Sequence, residues 1–164
     1  MNKKKMHWGL GLAVIIFLSW WGFQRWQDEQ IFRKLQTGGE KALTAGDWER
    51  LPDILTKKYA ADTYGSTTPE GTLGMFVDAL KKGDADLAAK YFIPEKQATQ
   101  KKIFENWIKL KKNAEIADRY SQAKDGSENI PGYYILNIYE KDGVNMQIIL
   151  LKNNYSGKWK IQSL

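Results

Sequence analysis

From Met6 to Phe23 the chain runs for 18 residues without a fixed charge. No other feature constrains the protein as strongly. As an α-helix the run is about 27 Å long, and about 31 Å if extended to Trp26, against a bilayer hydrocarbon core of roughly 30 Å. Trp8 stands at one end and Trp20, Trp21 and Trp26 at the other. Indole rings favour the headgroup layer, where the ring stays in apolar surroundings and the N–H stays wet. Lys3, Lys4 and Lys5 precede the run, whereas Arg25 is followed closely by Asp28 and Glu29. The positive-inside rule then holds residues 1–5 in the cytoplasm as a short tail and sends the C-terminal part across the cell membrane. We therefore expect a single-pass anchor at residues 6–26, with the lipid bilayer as its first partner.

A cleaved signal peptide and a buried core helix are the rival readings. Cleavage needs small residues at the end of the apolar run. Here Ser19-Trp20-Trp21-Gly22-Phe23 puts bulky rings there, and there is no cysteine to carry a lipid. Gly9 and Ala13 form a small-xxx-small pair of the kind that lets helices pack in lipid. His7 is read as a tail residue in the headgroup region.

The net charge of +6 suggests nucleic acid until the chain is divided. Residues 1–25 hold four basic residues and no acid; in the rest, basic residues exceed the 19 acids by only two. Counterion release from phosphates needs a concentrated positive face, so no nucleic-acid partner is expected. The absence of cysteine excludes disulfides, cysteine-ligated metals and thiol nucleophiles, and a single histidine leaves little for imidazole chemistry.

Beyond the anchor, Ile31, Phe32 and Leu35 continue a helical stripe over residues 24–36, and Thr37-Gly38-Gly39 ends it. A fresh helix is expected from near Asp47, with Pro52 in its first turn and Ile54, Leu55 and Tyr59 within it. The polar stretch 65–67 marks a boundary. Thr68, Pro69 and Glu70 then form an N-cap, a first-turn proline and a dipole-complementing acid. Leu73, Phe76, Val77 and Leu80 recur at helical spacing, Gly83 closes the turn and Asp84 caps the next helix. A third helix is expected over 95–112, with Ile103, Phe104, Trp107 and Leu110 inward. A weak strand is expected over 114–123. Tyr134, Leu136 and Ile138 alternate, as do Met146, Ile148 and Leu150 across the Glu140-Lys141-Asp142-Gly143 turn, and Trp159 with Ile161 after Asn153–Gly157. The expected class is α+β: an N-terminal transmembrane helix, then helices on one face of a curled antiparallel sheet of three to four strands, ending in a meander.

The string Thr68-Pro69-Glu70, Leu73, Phe76, Ala79-Leu80, Gly83-Asp84, Ala88, Tyr91-Phe92 resembles the opening helices of the nuclear-transport-factor-2-like superfamily, the cystatin-like cone shared with ketosteroid isomerases. Tyr155-Ser156-Gly157-Lys158-Trp159-Lys160-Ile161 is similar to its closing strand. The likeness is greatest to small membrane-anchored bacterial members. It implies helices against a strongly bent sheet over residues 67–164, with 27–66 as a helical juxtamembrane neck.

Enzymes of that superfamily place a carboxylate and a tyrosine in one pocket. Tyr133, Tyr134, Tyr139 and Asp118 are candidates by type, but no spacing pairs them, so no catalytic residue is assigned. Asp84 and Asp86 read as a helix start rather than a cation loop, and Lys101 to Lys112 as a charged helix face. Asn154-Tyr155-Ser156 matches a glycosylation sequon. No cofactor and no metal is expected. The sequence points to a non-catalytic extracytoplasmic binding or scaffold domain that meets a protein partner or itself. The alternatives are a small-ligand or isomerase-like pocket and a secretion-type regulatory subunit.

Overall fold

A computed structural model describes the backbone of residues 3–140 and 143–164, and the side chains of 17–139 and 146–164. Among the described residues there are six α-helices: α1 (Lys3–Gly38), α2 (Ala45–Ala61), α3 (Pro69–Lys81), α4 (Ala85–Lys90), α5 (Gln97–Lys109) and α6 (Asn113–Tyr120). Four strands follow: β1 (Lys124–Ile130), β2 (Tyr133–Glu140), β3 (Gly143–Lys152) and β4 (Trp159–Ser163). They form one antiparallel sheet in chain order. The chain divides into two compact units, Met1–Ile54 and Leu55–Leu164.

In the first unit α1 is one unbroken helix of 36 residues, so the expected apolar run and the helix after it are continuous. Among the described residues no helix is long and apolar enough to cross a membrane. Most of the expected span, with Lys3 to Lys5, His7, Trp8, Gly9 and Ala13, lies outside the described side chains. Gly39, at φ +64, turns the chain where no β-carbon is welcome. Thr44 and Asp47 then cap α2 reciprocally. The Thr44 N–H donates to the Asp47 carboxylate at 2.9 Å, and the Asp47 N–H to the Thr44 hydroxyl at 3.3 Å. Pro52 corrects an expectation: it sits inside α2, not in its first turn, because this cap starts the helix at Ala45.

The second unit packs its helices on one face of the sheet. Thr68 caps α3 by accepting the Gly71 N–H, and Asp84 caps α4 by accepting the Leu87 N–H. Leu73, Phe76, Val77 and Leu80 are buried, as are Leu136, Ile138, Ile148, Leu150, Trp159 and Ile161 from the facing strands. Phe76 is the hub: its ring lies 5.4–5.8 Å from those of Phe92, Phe104 and Tyr120. Such ring pairs contribute about 0.5–1.5 kcal/mol each beyond the area they bury.

Three expectations are corrected here. Residues 113–120 are helix α6, not a strand, since Ala117 and Tyr120 bury one helical face between Glu115 in the first turn and Arg119 in the last. On α5 the inward stripe is Phe104, Trp107 and Ile108; Ile103 is exposed, and Leu110 is 55% exposed because α5 has already ended at Lys109. The sheet has four strands but lacks the strong curl. Its irregularities are local register shifts, two in the β1–β2 pairing, one at Ile138/Tyr139 in the β2–β3 pairing and one at Ile149/Leu150 in the β3–β4 pairing, which bend a short meander locally without rolling it into a cone. Glu140 pairs with Gly143; the expected turn residues between them, Lys141 and Asp142, lie outside the described residues.

Candidate functional site

Strand β4 alternates, with Trp159 and Ile161 facing the core, so Lys160 should project to the polar side. It is instead completely buried. Its ammonium donates to Asp62 Oδ1 at 2.9 Å and stands 2.7 Å from Oδ2; it also donates to the backbone carbonyls of Tyr64 and Lys90. Burial pushes the Lys160 amine below its ordinary range, and Asp62 opposes that shift. Asp62 is itself buried and also accepts from the Gln97 side-chain amide and the Tyr64 N–H. Three residues earlier, the Tyr59 hydroxyl donates to Glu95 at 2.9 Å, and burial with that carboxylate raises the phenol above its usual range. Buried Asn153 donates to the Tyr59 and Asp62 carbonyls. This knot joins the chain after α2 to β4 and the start of α5. Every donor of the ammonium has an acceptor, so its chemistry is that of a structural tie.

A second constellation faces solvent. The Tyr134 hydroxyl on β2 donates to Glu70 in the first turn of α3, and this bond lifts the phenol to about 12. Glu70 lines a groove of about 390 Å³ floored by Leu73, Val77 and Leu136. In the first unit, a groove of about 330 Å³ lies between α1 and α2 and includes Trp26, Ile31, Lys34, Asp47 and Arg50. Arg50 reaches back to Gln24, Gln27 and Asp28, and Lys34 bonds Asp47 at 2.9 Å. The Thr44 N–H and Lys34 together hold the Asp47 carboxyl at about 2.

Of the tyrosines and acid singled out by type, two tyrosines meet carboxylates: Tyr134 meets Glu70, and Tyr139 meets Asp125. Tyr133 lies half-buried on β2, and Tyr139 is exposed with Lys124 over its ring. Asp118 is on α6, paired with Lys81 at 2.7 Å. Asp84 is a cap, and Asp86 pairs with Lys101 at 2.6 Å. Lys101 also meets Glu105, as a charged helix face requires. Asn154 stands exposed on the β3–β4 turn. Among the described residues no group of three or more acids or histidines is placed to hold a metal ion. Sequence reasoning missed Lys160, Asp62 and Glu70. The Tyr134–Glu70 and Lys160–Asp62 pairs join residues 64 and 98 apart in the chain, and no local pattern joins them.

The class these observations define is an α+β protein whose interior, under the helices, is filled by Phe76, Phe92, Phe104, Tyr120 and Trp159. No protein-family model, no curated protein and no solved structure matches the chain.

Proposed function

We propose that the protein is a single-pass membrane protein that presents a non-catalytic binding module outside the cell membrane, with its N-terminus in the cytoplasm. One observation carries this reading. Helix α1 is continuous from Lys3, encloses the uncharged run 6–23, and leaves Phe17, Leu18, Trp20, Trp21, Phe23 and Trp26 more than half exposed. Large apolar side chains on every side of one helix favour an apolar surrounding, at about 25 cal/mol for each Å² removed from water. The tryptophans would occupy the headgroup layer and Arg25, over the Trp21 ring, its polar edge.

The aromatic packing of the interior supports a reading in which the module binds at its surface. The far face of the sheet supports a protein partner or self-association. Tyr133 opposes Leu151 there and Ile135 opposes Ile149, all half-buried. Kinship with the nuclear-transport-factor-2-like superfamily is part of the same proposal. It rests on the α3–α4 corner and the closing strand.

The chain has no cysteine, so one introduced thiol reports on topology without background. The protein should stay with membranes through alkaline carbonate extraction. Asn154→Cys should react with an impermeant maleimide in intact cells, while Lys4→Cys should react only after lysis. A chain found in the soluble fraction with its N-terminus intact refutes the proposal.

A further inference from the structure

We propose that the groove along α3 binds a small organic ammonium ion, an apolar body with a protonated amine, between its greasy floor and its carboxylate rim. This rests on reading the second unit as a binding module, and it names the chemistry of the ligand. The groove follows one face of α3, with Glu70, Leu73, Gly74, Val77 and Asp78 at i, i+3, i+4, i+7 and i+8. At about 390 Å³ it falls within the size range of small-molecule sites, and it lies outside the aromatic interior. Its floor is Leu73, Val77 and Leu136, all buried beneath it.

The charges fix the sign of the ligand. Glu70 and Asp78 are carboxylates two turns apart on the same wall. The Glu70 carboxylate is oriented by the Tyr134 hydroxyl. Among the described residues no side chain bonds the Asp78 carboxylate. The one cation on the wall, Lys81, is taken up by Asp118 at 2.7 Å, so it offers little to an anion. An ammonium group at either carboxylate would gain a charge-assisted hydrogen bond. An anion of the same shape would meet like charge.

Gly74 supplies an independent observation. Glycine is, after proline, the poorest residue for a helix interior, and a β-carbon here would meet nothing within 4 Å. The chain's own packing gives no reason for glycine at this position. It leaves the α3 backbone open to close approach from the groove.

Isotope-labelled full-length protein in zwitterionic micelles, titrated with phenethylammonium and separately with phenylacetate, tests the inference. The amine should shift amides of residues 70–81 and 121–123 and saturate at millimolar concentration, and phenylacetate should bind at least about tenfold more weakly. Gly74→Leu adds a side chain at the groove, where its β-carbon meets nothing within 4 Å, and should weaken amine binding by more than about tenfold. Asp78→Asn, at an exposed position, should weaken it by about tenfold and leave the remaining spectrum unchanged. Equal response to amine and anion, scattered shifts that do not saturate by about 10 mM, or full binding by Gly74→Leu or Asp78→Asn overturns the inference. Should the chain prove soluble without micelles, the same titration runs in buffer, and the membrane reading fails alone. A membrane-bound chain that is silent to the amine fails this inference alone.

Discussion

Replacing Asp62 by asparagine keeps the size and the acceptor of the side chain and removes its charge. Lys160 would then be a fully buried ammonium with only neutral acceptors: the new side-chain amide oxygen and the carbonyls of Tyr64 and Lys90. Breaking a buried pair from one side costs about 3–5 kcal/mol, and the retained acceptors place this variant near the lower end, about 3 kcal/mol at pH 7. That is a large part of a typical domain stability of about 5–15 kcal/mol. The loss should depend on pH in a definite direction. Burial lowers the folded-state pKa of Lys160 below its ordinary 10.5, and without Asp62 only neutral acceptors oppose that shift. Between the lowered value and 10.5 the unfolded chain holds a proton that the folded chain has released. Stability therefore rises with pH through that window, by up to about 1.4 kcal/mol per pH unit. Urea unfolding followed by tryptophan fluorescence, at about pH 7 to 10, measures both quantities. Lys160→Met is the control: with no amine left, that recovery should vanish. A cost below about 1 kcal/mol at pH 7, or a loss equal at every pH, would show that the pair is not buried as described.

Three further outcomes are expected. Phe104→Ala should cost about 3–5 kcal/mol in denaturant unfolding, because it empties a fully buried site against the rings of Phe76, Phe92 and Trp107. Gly65→Ala should cost at least about 2 kcal/mol in the same assay: φ is +112 and a β-carbon would stand 2.4 Å from the Trp159 carbonyl oxygen. Glu70→Gln should bring one tyrosine step down from about 12 toward the ordinary 10.0 in an ultraviolet titration, because the carboxylate that opposes ionisation of Tyr134 is gone. An unchanged titration would show that the Tyr134–Glu70 bond does not persist in solution.

The helices and strands were legible wherever periodicity and caps agreed. Thr68 with Pro69, and Gly83 with Asp84, mark the α3–α4 corner by chemistry that acts within one turn. The alternation through Leu136, Ile138, Ile148 and Leu150 names the buried face of the sheet. Helix α6 was misread because eight residues carry only two buried positions, too few to separate a period of 3.6 from one of 2. Ile103 and Leu110 were assigned inward because the stripe was started one residue off and run past the end of α5. The ties were not legible at all. Lys160 reads as an ordinary polar position on an alternating strand, and only the packing of 62–64 and 90 around it makes it a core residue. The same holds for Glu70, whose place in a first turn explains it fully until β2 brings Tyr134 beside it.

The sheet has one closed border and one open one. Along β4, the Trp159 N–H goes to Ser66, the Ile161 N–H to Tyr91, and the Ile161 carbonyl accepts from Ile93. Strand β1 is exposed along its whole length, with Asp125 at φ +52 and register shifts on either side of Ser127 and Glu128. Runaway stacking of sheets into fibres needs two free borders on each copy, and this fold has one. Copies crowded at high local density would at most join in closed twos, border to border. A polymer built by this route has no second end from which to grow.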